Sequence, residues 1–182
     1  MKQLASVFKS TKVALLTASV MCGTLFTSCH KKAETGYMNV RMTDAPAAYT
    51  HVYVEVTGME VNSETGGWVN VPITAGVYDL LALQNNVSVL LATRTQFPAG
   101  RVNQLRLQLG ANNSLVTATG TFSLKVPSGA ETGLKVNLDT SIRSGKTIEI
   151  VLDFDANASV VDEGNGTFSL KPVIRVKSVT EL

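Results

Sequence analysis

From Tyr37 onward the chain alternates. Met38, Val40 and Met42 are separated by Tyr37, Asn39 and Arg41, with Thr43 following, and Val52, Val54 and Val56 by Tyr53 and Glu55, flanked by His51 and Thr57. Leu105, Leu107 and Leu109, then Leu134, Val136 and Leu138, then Ile148, Ile150, Leu152 and Phe154 keep the same step. A period of two sends one face of an extended segment into a core and the other into water, whereas a helix needs apolar residues three and four apart. Residues 36–182 are therefore expected to form one all-β domain, an antiparallel β-sandwich of roughly nine strands. Turn residues divide the runs: Asn62 to Gly67 before Trp68, Pro98-Ala99-Gly100 before the Leu105 strand, and Asp162 to Gly166 before the last strand. Between Val77 and Thr93, the stretches DLLAL and VSVLLAT admit short strands or one helical turn, with strands the first expectation. Gly-Thr-Phe-Ser-Leu-Lys occurs at 120–125 and again at 166–171. So short an echo predicts two hairpins with glycine-led entries rather than a duplicated domain.

Ahead of the alternating region the pattern changes. Lys2, Lys9 and Lys12 precede an apolar run of 14 residues, Val13 to Phe26. That length suits the hydrophobic part of a secretory signal and is short of the about 20 residues a spanning helix needs. Leu25-Phe26-Thr27-Ser28-Cys29 resembles the lipobox of bacterial lipoproteins, in the looser form of Bacteroidota-like sequences that admits Phe26. The resemblance implies removal of residues 1–28 and acylation (palmitate among the chains) of Cys29. The polar residues 30–35 would then serve as a short tether. Stable anchoring takes more than one acyl chain. The 16 basic and 14 acidic side chains of the full chain become 13 and 14 once three lysines leave, a net −1. No basic patch interleaved with aromatics remains to hold nucleic acid. Cys22 leaves with the signal and Cys29 carries lipid, so no thiol is left to form a disulfide.

The chemistry-bearing residues are few. His30 adjoins the anchor, and His51 falls on the outward face of its strand with no partner evident in sequence. A nucleophile elbow, a phosphate-cradling glycine loop and zinc-ligand spacing are all missing, so the expectation is a protein that is not an enzyme. Asp153-Phe154-Asp155-Ala156-Asn157 invites calcium, but as an EF-hand loop it has Ala158 at the sixth position and Gly164 at the twelfth. Asp153 and Asp155 are expected on one strand face, where a cation or a basic neighbour would relieve their repulsion. Asp44, just before Ala45-Pro46, reads first as a turn-former accepting from nearby amides. A secondary expectation joins Asp44, Asp153 and Asp155 around a calcium ion at one end of the sandwich. Trp68, Tyr49, Tyr53 and Tyr78 are the aromatics that could present a sugar platform, although Trp68 and most of the phenylalanines are placed more simply in the core.

Several of these pieces stand in a particular order: Thr43-Asp44-Ala45-Pro46, Val52-Tyr53-Val54, the strand of Val61, Trp68, Asp79-Leu80-Leu81-Ala82-Leu83, Pro98-Ala99-Gly100, Gln104-Leu105-Arg106-Leu107, Asp153-Phe154-Asp155-Ala156 and Leu170-Lys171-Pro172-Val173. In that order they resemble domain-of-unknown-function family 4382, of bacterial and archaeal envelope proteins. The resemblance implies an immunoglobulin-like or transthyretin-like sandwich and brings no activity with it. It also implies an aromatic two positions past the Pro-x-Gly turn, where this chain has Val102. The expected role is a lipid-anchored structural, adhesive or interaction module of the envelope. The alternative is capture of a glycan or peptide for uptake or degradation. Surface-exposed lipoproteins of Bacteroidota-like organisms often carry acids after the lipidated cysteine. Here His30-Lys31-Lys32 is basic, with Glu34 close behind, which favours a periplasm-facing anchor in the outer membrane.

Overall fold

The alternating segments all become strands, and they stack as two sheets around the apolar faces that their period exposes. The computed structural model describes residues 34–127 and 133–182. The expected signal, Cys29, His30, Lys31 and Lys32 lie outside the described residues. In chain order the strands are β1 (Thr35–Asp44), β2 (His51–Ser63), β3 (Gly67–Asn70), β4 (Gly76–Asp79), β5 (Val89–Pro98), β6 (Gly100–Leu109) and β7 (Ser114–Thr117). They continue with β8 (Gly120–Lys125), β9 (Leu134–Ile142), β10 (Thr147–Phe154), β11 (Val160–Gly164), β12 (Thr167–Leu170) and β13 (Ile174–Glu181). One helical turn, α1 (Ala156–Ser159), follows β10.

The smaller sheet runs β13-β10-β1-β5. The larger is organised on β2, the longest strand at 13 residues. Tyr53 lies between Asp79 of β4 and Ser114 of β7, and Glu60 between Asn70 of β3 and Arg106 of β6. So β3 and β4 follow one another along one side of β2, and β6 and β7 along the other. β9 lies beyond β6, while β8, β12 and β11 extend the sheet past β7. Met38, Val40 and Met42 of one sheet and Val52, Val54 and Val56 of the other are fully buried, as the alternation requires. Val102, in place of the aromatic, is also fully buried, beside Ser63 and Thr140.

Four details depart from the sequence reading. β1 pairs with β10 in parallel, and β8 with β12 likewise, so the sandwich is not purely antiparallel. Alternation reports which face is buried and is silent on the direction of the neighbour. Among the described residues there are thirteen strands rather than about nine, several of them only four residues long, such as β3 and β4 on one side of β2 and β7 beyond β6 on the other. Leu80–Leu83 is a 3₁₀ turn rather than a strand, started by Asp79, whose Oδ1 accepts from the Leu81 N–H at 3.2 Å. Asp162 to Gly166 closes the β11–β12 hairpin, and the last strand begins only after Lys171-Pro172-Val173.

The end of the expected tether is also part of the sheet. The Glu34 carbonyl accepts from Ala99 N–H at 2.9 Å and the Thr35 carbonyl from Gly145 N–H at 2.8 Å. The two copies of Gly-Thr-Phe-Ser-Leu-Lys do form second strands of hairpins, and those strands are sheet neighbours: Phe168 lies opposite Leu124, and the Phe122 and Phe168 rings meet at 4.9 Å.

Candidate functional site

Because β1 and β10 are parallel and in register, Asp44 and Phe154 end their strands side by side. The same end therefore receives Asp44, Asp153 and Asp155, the three acids singled out in the sequence. Their roles differ from those expected.

Asp44 is 3% exposed. Its Oδ1 accepts from Ala156 N–H at 2.9 Å and its Oδ2 from Gln84 Nε2 at 3.2 Å. Both donors are distant in sequence, so Asp44 is a clamp between remote segments and not the local turn-former the Ala45-Pro46 context suggested. Ala156 opens α1, where a helical N–H has no intrahelical acceptor and needs one from outside. Burial pushes the Asp44 carboxyl above its ordinary range. The nearby charges of Asp153 and Asp155 push the same way, against the lowering effect of the Ala156 and Gln84 hydrogen bonds.

Asp155 lies just past β10 rather than on its face. There it caps α1, its Oδ1 accepting from Ala158 N–H at 2.9 Å. Asp153 is buried at the strand end and meets Arg175 of β13, its register partner, with Nη2 to Oδ2 at 2.5 Å. Arg175 Nη1 also stands 3.8 Å from Asp155 Oδ2. The basic neighbour that the paired acids called for is thus Arg175. Among the described residues no set of three or more His, Cys, Asp or Glu side chains is disposed to hold a metal ion. The three carboxylates converge, but their oxygens face an arginine, a glutamine and backbone amides. Sequence could flag Arg175 as an outward residue of its strand, but not the register that sets it against Asp153. A cleft of about 580 Å³ opens beside this cluster, lined by Asp44, Pro46, Asn85, Asn86, Arg175 and Lys177 among others.

His51 has a partner after all. Its Nδ1 lies 2.7 Å from Asp79 Oδ2, and its ring stacks on Tyr53 with centroids 5.5 Å apart. The pair arises because β4 lies alongside β2, a placement no local pattern announces. An imidazole oriented by a carboxylate is half of a base-assisted nucleophile, but among the described residues no hydroxyl or thiol is hydrogen-bonded to it.

The other aromatics separate by exposure. Tyr49 and Tyr78 pack partly buried against the core, and the Tyr78 hydroxyl donates to the Thr74 carbonyl. Burial raises the Tyr78 phenol above its usual range. Trp68, expected in the core, is instead 37% exposed, with the Arg106 guanidinium 4.0 Å from its ring centroid. Phe97 and Phe154 are buried in the core, as expected. Among the described residues no helix is long and apolar enough to cross a membrane.

The family model described as "Domain of unknown function (DUF4382)" matches residues 35–172, and the chain belongs to that family. Among curated proteins and among solved structures nothing matches it.

Proposed function

We propose that this DUF4382 protein is a lipid-anchored, non-catalytic interaction module of the cell envelope. One observation carries the reading. The polar side chains of a type that does chemistry are tied to partners that hold shape: Asp44 to Ala156 and Gln84, Asp153 and Asp155 to Arg175, His51 to Asp79, and Glu60 to Arg106. Side chains committed in this way keep the fold rigid, and a rigid frame suits recognition, because less freedom is lost on binding. The basic leader, the apolar run and the lipobox-like residues ending at Cys29 support the anchor. His30-Lys31-Lys32 supports an outer-membrane position facing the periplasm. A second reading is capture of a glycan or peptide for an uptake or degradation system, and the exposure of Trp68 favours it.

The anchor is tested by feeding cells an alkyne-bearing palmitate analogue and comparing wild type with Cys29→Ala. Wild type is expected to take up the label and the variant to take up none. Equal labelling of both, or none in wild type, refutes the lipid anchor.

A further inference from the structure

We propose that the outer face of the larger sheet, where β3, β2, β6 and β9 lie side by side, binds a neutral oligosaccharide. This rests on the capture reading and names its ligand class and its surface. The pairing registers place Trp68, Asn62, Gln104 and Asn137 in one row across the four strands. Asn70, Glu60, Arg106 and Lys135 form the next. The residues between the rows on β2, β6 and β9, namely Val61, Leu105 and Val136, are buried, so both rows belong to the outward face. Three strand spacings make each row about 14 Å long, room for a short oligosaccharide.

The chemistry of these rows is that of a polyol site. A carboxamide sets a donor beside an acceptor, matching neighbouring hydroxyls that each donate and accept. Gln104 Nε2 donates to Asn137 Oδ1 at 2.7 Å. Gln104 Oε1 and Asn137 Nδ2 then have no partner among the described residues. The face of the indole that Arg106 does not cover supplies an apolar plate for the C–H face of a pyranose. Arg106, itself held by Glu60 Oε2 at 3.0 Å, lies against that indole and fixes it before a ligand arrives. A side chain ordered in advance loses less freedom on binding. Glu60 and Arg106 cancel in charge and leave Lys135 alone, too little to draw a polyanion. A peptide would more naturally add to a strand edge through its backbone than lie across a face of side chains.

Trp68 is the single tryptophan of the chain, so its emission reports this face directly. The full chain in detergent micelles is titrated with maltohexaose, xylohexaose, mannohexaose and chitohexaose, following tryptophan emission and, in parallel, heat. At least one sugar is expected to give a saturable emission change. Gln104→Ala and Asn137→Ala are expected to weaken it about tenfold, the loss of one to two good hydrogen bonds, with an unchanged melting midpoint. Heat of binding with no response at Trp68, or with full affinity in both variants, overturns the face while leaving capture standing. Neither heat nor emission change with any of the four sugars overturns the oligosaccharide assignment itself.

Discussion

At Asp44 burial and hydrogen bonding pull in opposite directions. Two donors favour the carboxylate, but desolvation and the nearby Asp153 and Asp155 favour the neutral acid, and the pKa is raised. A carboxyl whose folded pKa lies above its unfolded value contributes stability that is fully present below the unfolded pKa. That contribution is lost as pH rises through the folded pKa. Asp44→Asn keeps an oxygen for the Ala156 N–H, and Gln84 can turn its amide to meet the new NH₂. The variant is therefore expected to gain on wild type, by a few degrees in Tm, as pH rises from about 4 to about 7. Thermal denaturation of both proteins across that range checks it, and a difference independent of pH contradicts it. The acids themselves were legible in the sequence, and so was the need for a cation near Asp153 and Asp155. Their donors were not, because Gln84, Ala156 and Arg175 reach them only through strand pairings made far along the chain.

Among the elements, β1 shows how tightly the smaller sheet closes on its neighbours. A Cβ built on Gly36 would stand 2.4 Å from Ile142 Cγ2, 2.6 Å from Arg143 O and 2.8 Å from Lys146 O. Two of these atoms are backbone, so the strand itself would have to move. Gly36→Ala is expected to destabilise the domain by about 1–3 kcal/mol, as overpacking does. Urea titration measures it, with a lower midpoint at an unchanged slope as the expected form. A variant as stable as wild type would mean that the entry to β1 is looser than its hydrogen bonds to Ala99 and Gly145 imply. The alternating strands were legible because their burial is set by their own side chains. The 3₁₀ turn at Leu80–Leu83 was legible only as the lesser alternative: an Asp79 cap decided a run of leucines that would equally serve a strand.

For the molecule as a whole, the orientation of the proposed anchor decides which partners are within reach. Lys125, Lys135, Lys146, Lys171 and Lys177 are all exposed and available to a membrane-impermeant, lysine-reactive biotin. With the domain facing the periplasm, labelling is expected only after the outer membrane is lysed. Strong labelling of intact cells, with a periplasmic control untouched, would place it outside and make external ligands its business.

The all-β class, the inward and outward faces of the five alternating runs and the two glycine-led hairpins followed from the sequence alone. Each depends on side-chain period or turn chemistry within a few residues. The tertiary structure alone decided that β1 and β10 run parallel, that Asp44 clamps a helix start 112 residues away, that His51 meets Asp79, and that Trp68 faces water at the end of a polar row. All four are settled by which strands become neighbours and in what register. A repeating pattern of apolar residues constrains the face of a strand but leaves its neighbours open.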